Sequence, residues 1–267
     1  MILEVCVDSL ASALAAEHGG AERIELCSDL LEGGITPSPG LLAAIRERVD
    51  LKIYGMVRPR GGDFCYDENE FQVMRKEIEH LRTLGADGLV FGLLNEAGQV
   101  DVIRTKELIE RARPLPVTFH RAIDMTPDPL ASLEAVIATG ADRILTSGGA
   151  KTAIEGLETL CAMQKIAQGR IKIIAASGVR PVNLRKLAKE TGISEFHASL
   201  RRKVPSRSIY RKPGLTMGAL EDLDFVQYAT SEADVRAMIT ILDGLPHELP
   251  AEQECVVSSV QRSNLER

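Results

Sequence analysis

Short apolar runs alternate with longer amphipathic stretches along most of the chain. The runs that predict strands are Ile2–Cys6, Arg23–Cys27, Lys52–Val57, Gly88–Phe91, Pro116–His120, Arg143–Thr146, Ile171–Ala175 and Glu195–Ala198. Between them Asp8–Glu17, Pro39–Val49, Glu68–Leu84, Asp101–Arg111, Asp128–Thr139, Thr152–Ala167 and Asn183–Glu190 predict helices. A final helix is expected over Ser231–Leu242, where Ser231 can cap and Val235, Met238, Ile239 and Leu242 recur at helical spacing. Gly19-Gly20, Gly85, Gly140 and Gly192 follow helical stretches and read as stop signals. The segments T-L-G-A-D-G-L-V-F and A-T-G-A-D-R-I-L-T-S-G-G nearly repeat each other, so one helix–strand unit recurs.

That alternation predicts an α/β protein, a single (β/α)8 TIM barrel over residues 1–244; such barrels typically run to about 250 residues. A doubly wound sheet would call for a Gly-rich nucleotide turn after its first strand, and E-V-C-V-D-S is not one. Residues 199–230 predict a long loop between the eighth strand and the last helix. It carries Arg201, Arg202, Lys203, Arg207, Arg211 and Lys212, and a loop of that length is more often functional than idle. Residues 245–267 turn polar and are expected to form a flexible tail.

Barrel chemistry gathers at the C-terminal ends of the strands. In I-L-E-V-C and R-I-E-L-C, alternation turns Leu3, Val5, Ile24 and Leu26 to the helices, and Glu4, Cys6, Glu25 and Cys27 into the barrel. The fifth strand ends in T-F-H-R-A-I-D and the eighth reads E-F-H-A-S, adding His120, Arg121, Asp124 and His197. Histidine exchanges protons near neutrality, so Glu4, Glu25, His120 and His197 are the candidate acid–base groups. The stretch M-V-R-P-R-G-G-D-F-C-Y breaks the third strand with Pro59 and Gly61-Gly62 and places Arg58, Arg60 and Asp63 in the break. Two guanidiniums there make a clamp for a carboxylate or phosphate, or Arg58 pairs with a neighbouring acid and the glycines only turn the chain. The turns T-S-G-G and A-S-G-V offer Ser147, Gly148, Ser177 and Gly178 as backbone donors to an anion, or are ordinary tight turns.

Composition narrows the partners. The 267 residues are 45% hydrophobic and 26% charged, as in a soluble globular protein, and a net charge of −6 argues against a general nucleic-acid surface. Trp is absent and aromatics are 4%, leaving little for base-stacking platforms. No apolar run is long enough to span a bilayer and no basic-then-apolar leader opens the chain, so neither a membrane nor a nucleic acid is expected as partner and the cytoplasm is the expected location. The five cysteines, Cys6, Cys27, Cys65, Cys161 and Cys255, form no C-x-x-C pair and no zinc-finger spacing. In a reducing compartment they are expected as thiols.

E-V-C-V-D-S, G-G-A-E-R-I-E-L-C, E-G-G-I-T-P-S, R-P-R-G-G-D-F-C-Y, D-G-L-V-F-G, P-V-T-F-H-R-A-I-D, R-I-L-T-S-G-G and E-F-H-A-S together resemble the copper homeostasis protein CutC family, from Ile2 to about Gly244. The resemblance implies a TIM barrel, a cytoplasmic homo-oligomer (a homodimer or homotetramer) and a part in copper handling, with Cu(I) on Cys6 and Cys27. One departure is A-A-S-G-V after the seventh strand, where members often carry a more glycine-rich turn. Thiolates suit Cu(I), but a soft cation gives the arginines and glycine turns no task. A second reading therefore stands beside the first: an enzyme acting on a small anionic, sugar-like molecule by acid–base chemistry. In it Arg58, Arg60, Asp63, Arg121, Ser147, Gly148, Ser177 and Gly178 surround the anion.

Overall fold

The computed structural model describes residues 1–212, 214–216 and 224–246. Eight parallel strands close into a barrel in sequence order: β1 (Ile2–Val7), β2 (Arg23–Leu26), β3 (Lys52–Met56), β4 (Gly88–Phe91), β5 (Val117–Phe119), β6 (Arg143–Thr146), β7 (Lys172–Ala175) and β8 (Glu195–Ala198). Around it lie α1 (Leu10–His18), α2 (Pro39–Arg46), α3 (Glu68–Thr83), α4 (Val102–Ala112), α5 (Pro129–Thr139), α6 (Leu157–Ala167), α7 (Pro181–Thr191) and α8 (Glu232–Asp243). The TIM barrel is thus present, with every expected strand in place.

Local chemistry sets the helix ends. Asp67 and Glu70 form a reciprocal capping box at the start of α3, and Ser9, Ser38, Asp101, Asp128 and Ser231 each accept a backbone N–H at the start of α1, α2, α4, α5 and α8. The sixth helix begins at Leu157, later than the pattern predicts. Residues 152–156 instead form turns, and the Ala153 N–H donates to the Ser177 carbonyl at 2.9 Å, which ties this segment to the next strand's end.

The strand faces separate as alternation dictates. Leu3, Val5, Val7, Ile24, Leu26 and Ile53 join the large core between strands and helices. A distinct cluster of Cys6, Cys27, Tyr54, Met56 and Val90 lies inside the barrel, and Leu145, Ile174 and Ala176 form another. The β1–β2 register sets Cys6 beside Glu25 and Glu4 beside Arg23, and β8 sets His197 beside Glu4. The acidic groups and thiols of the interior therefore gather on one side, on β1, β2 and β8.

The long connection is more ordered than expected. It contains an antiparallel pair, β9 (Arg201–Pro205) and β10 (Val226–Thr230), and Arg202 on β9 binds Asp234 of α8 through both nitrogens of a fork, at 2.7 and 2.6 Å. Of the expected tail, residues 247–267 with Cys255 lie outside the described residues. Cys6, Cys27 and Cys65 are free thiols, whereas Cys161 is disulfide-bonded, a correction to the expectation of thiols throughout. No helix among the described residues is long and apolar enough to cross a membrane.

One helix carries an ionisable group poorly placed for charge. Glu77 on α3 has a buried Oε2 without a hydrogen-bond partner, and burial pushes its carboxyl up to about 7, a hydrogen bond to Thr36 offsetting only part of the rise. A carboxyl raised in the folded state favours folding while protonated, so its contribution is intact at low pH and is lost as pH rises through 7. Glu77→Gln should therefore raise the melting temperature near pH 8 and change it little near pH 5. A shift of equal size at both pH values would show that the carboxyl does not titrate in this range.

Candidate metal and ligand site

At the base of the polar side, Arg23 is the hub. Its Nε donates to Glu4 Oε2 at 2.5 Å and its NH2 to Glu195 Oε2 at 2.6 Å, with all three side chains almost wholly buried. Arg143 lies 3.5 Å from the same Glu195 oxygen, and both guanidiniums sit about 5 Å over the Tyr54 ring. Glu4 Oε1 meets His197 Nδ1 at 2.7 Å. Burial pushes the Glu4 carboxyl up, but Arg23 and His197 together outweigh it and hold it at about 2. Glu4 is thus a buried, ionised anchor. It does not border the cavity above.

One strand position further up, the chemistry changes. The Cys6 thiol donates to Glu25 Oε2 at 3.1 Å and touches Cys27 Sγ at 3.5 Å, while the Cys27 thiol points to the Val7 carbonyl at 3.7 Å. His197 Nε2 is 3.9 Å from Glu25 Oε2. Contact with Cys27, burial and the Glu25 carboxylate all raise the Cys6 pKa. The contact with Cys6 lowers that of Cys27, but burial and Glu25 outweigh it, so it too is raised. Burial raises Glu25 as well, opposed mainly by His197. For His197 burial disfavours charge, yet Glu25, Cys6 and Glu4 overcome it and raise it well above 6.5. At neutral pH the layer is two thiols and an imidazolium beside a carboxyl whose Oε1 has no partner.

Two loops roof this layer, and Arg58 joins them. Its NH1 donates to the carbonyls of Glu32 (2.7 Å) and Gly34 (2.9 Å), and its NH2 to that of Gly62 (2.7 Å). Gly34 lies against Cys27: a Cβ there would stand 3.1 Å from Sγ, and its φ of +92° favours glycine in any case. The two motifs E-G-G-I-T and R-P-R-G-G therefore act as one device. Arg60 is not part of it. It pairs with Glu70 and Asp63, knitting the loop to the first turn of α3 away from the cavity. The expected clamp of Arg58, Arg60 and Asp63 is thus divided: Arg58 reaches the cavity wall, and Arg60 and Asp63 brace its outside.

Above the thiols a cavity of about 380 Å³ opens at the strands' C-terminal ends. Cys6, Glu25, Arg58, His120, Arg121, Ser177, Gly178 and His197 among the sequence candidates border it, together with Phe64, Arg180 and Arg201. His120 is buried with Nδ1 accepting the Ala122 N–H at 3.3 Å. Burial and then the Arg58 charge lower its pKa to about 3, so the ring is neutral and its proton resides on Nε2. Ser147 and Gly148 do not reach the cavity. The turn they form closes on Asp124, which accepts Ser147 N and Gly149 N at 3.0 Å and Thr146 Oγ1 at 2.5 Å. Phe64 and Arg180 were not singled out by the pattern, although Phe64 lies within R-P-R-G-G-D-F-C-Y and Arg180 follows A-S-G-V directly.

The class is an eight-stranded α/β barrel with a thiol–carboxyl layer under a cationic mouth. A profile of the CutC family matches residues 1–202, and the chain belongs to that family. It is 47% identical over 242 residues to a family protein CutC of Chromobacterium violaceum, covering 91% of this chain and 98% of the relative. The mouse and human proteins named copper homeostasis protein cutC homolog are each 44% identical over 240 residues, covering 90% of this chain and 88% and 87% of theirs. A crystal structure of CutC from Streptococcus agalactiae superposes with a TM-score of 0.71 at 30% identity, covering 74% of this chain and 98% of that one.

The two glutamates respond differently to loss of charge. Glu4→Gln leaves Arg23 and His197 short of a partner in a buried network and should cost about 3–5 kcal/mol. Glu25→Gln replaces a raised carboxyl that carries one thiol contact and should cost less than about 1 kcal/mol. Denaturant melts of the two variants check this, and equal losses would place both in one structural network.

Proposed function

We propose that the chain binds Cu(I) between Cys6 and Cys27 as its part in copper homeostasis. What carries this reading is the 3.5 Å approach of two buried sulfurs on adjacent strands. The ligand atoms of Cys6, Glu25 and Cys27 lie within 4.8 Å of one another, and so do those of Glu4, Glu25 and His197. Soft thiolates select Cu(I), whereas the second group offers harder donors already committed to Arg23 and to one another. The copper homeostasis relatives point the same way. In this reading the cargo ion displaces both thiol protons, and Glu25 is the nearest group able to receive one from Cys6. The free thiols of Cys6 and Cys27 fit a cytoplasmic location, whereas the disulfide at Cys161 does not.

Cys6→Ser together with Cys27→Ser should abolish Cu(I) binding measured against a competing chelator, while Cys65→Ser leaves it unchanged. Both thiols are raised, so the metal must expel protons and affinity should climb with pH. Two protons released per ion would give up to about a hundredfold per pH unit. Undiminished affinity in the double variant would move the ion to other ligands.

A further inference from the structure

The cavity holds polar groups that a cation between the sulfurs leaves unsatisfied. Three buried atoms on its bordering residues have no hydrogen-bond partner among the described residues: Glu25 Oε1, Arg58 Nε and His120 Nε2. His120 is 4% exposed and Arg58 5%, so water does little for either. Because Nδ1 of His120 accepts the Ala122 N–H, its Nε2 is a donor. Two of the three orphans are thus buried N–H groups, and such groups cost free energy until something accepts from them.

A comparison within the molecule says what that something is. The β6–β7 register pairs Thr146 with Ala175. Counting on from that pair, Gly148 and Gly149 occupy the places of Ser177 and Gly178. All four have left-handed backbones, with φ of 73° for Gly148, Gly149 and Ser177 and 67° for Gly178. In the β6 turn the Gly149 N–H, together with that of Ser147, meets an oxyanion, the carboxylate of Asp124, while the Gly148 N–H goes to Thr146 Oγ1. In the β7 turn no hydrogen bond among the described residues takes up the N–H groups of Ser177, Gly178 or Val179, and all three residues border the cavity. Serine adopts the left-handed region at a cost, held here by its hydroxyl donating to the Lys151 carbonyl at 2.7 Å.

Charge around the β7 turn has the matching sign. The turn leads into the N-terminus of α7, an eleven-residue helix, with Arg180 as the preceding residue. Arg180 is exposed and forms no ion pair among the described residues, and Arg201 follows on the adjacent strand's loop. Arg201 is partly engaged with Asp8 at 3.2 Å. The cavity's carboxylates, Glu25 and Glu32, belong to β2 and the loop after it, three strands away around the barrel. His120, at the end of β5, lies two strands from the turn, and Arg58, after β3, lies four.

We propose that the cavity binds a small phosphate monoester, with its phosphate on the β7–α7 turn and Arg180 and an oxygen of its organic part on His120 Nε2. A cavity of about 380 Å³ admits a sugar-phosphate-sized molecule. Cys27 takes no part, so this site stands or falls independently of the copper reading.

The test is a calorimetric titration of metal-free, reduced protein with inorganic phosphate, ribose and ribose 5-phosphate at constant ionic strength. Ribose 5-phosphate should bind at least tenfold more tightly than either inorganic phosphate or ribose. Arg180→Glu should weaken both phosphate-bearing probes at least tenfold, whereas Lys189→Glu, the same charge change at the far end of α7, should not. His120→Asn keeps an acceptor for the Ala122 N–H and deletes the Nε2 donor, and it should lower ribose 5-phosphate affinity toward that of phosphate alone. No heat with either phosphate probe, or wild-type binding by Arg180→Glu, overturns the phosphate site. Unchanged ribose 5-phosphate binding by His120→Asn overturns the second contact.

Discussion

Everything in the barrel interior depends on Arg23 being neutralised where water cannot reach it. A TIM barrel ordinarily fills its centre with branched apolar side chains. Here one guanidinium occupies that space, held between the carboxylates of Glu4 and Glu195 on the two strands β1 and β8. A single unpaired charge there would cost several kcal/mol, so the three residues are tolerable only together. Their pairing also fixes where the next layer can be. Glu4 is saturated on one oxygen by Arg23 and so offers the other to His197. His197 is thereby held charged beside Glu25, and Glu25 stands beside Cys6.

This ordering explains a division of labour between two glutamates that look alike in sequence. Glu-x-Cys occurs on both of the first two strands, and nothing in either tripeptide distinguishes them. The difference comes from register: Glu4 is level with Arg23, whereas Glu25 is level with Cys6. One becomes part of the scaffold and the other a group with a free oxygen. The arginines of R-P-R divide for a similar reason, since Arg58 turns inward to loop carbonyls and Arg60 outward to Glu70.

The barrel itself was legible because strand alternation and helix-stop glycines are local signals. The inward placement of Glu4, Cys6, Glu25 and Cys27 followed from alternation alone. What could not be read was who satisfies whom. The T-S-G-G turn has the residues of an anion cradle, and only the folded chain reveals that Asp124, more than twenty residues earlier, already fills it. The β9–β10 hairpin was hidden by a polar, basic composition that reads as loop, and its ordering comes from pairing between distant segments. Arg180 gave no periodic signal because a residue before a helix-opening proline belongs to neither pattern.

The roof over the thiols sets a clock. Cys27 is 0% exposed and lies behind Cys6 rather than on the cavity wall, with Gly34 against its sulfur. Three hydrogen bonds from one guanidinium hold that roof shut. Cys6 borders the cavity, so an occupant of the pair can be reached from that side, whereas the Cys27 sulfur meets solvent only when the loops open, on the timescale of collective loop motions. One sulfur faces the mouth and the other is latched behind it, where an exposed pair of cysteines would offer both at once.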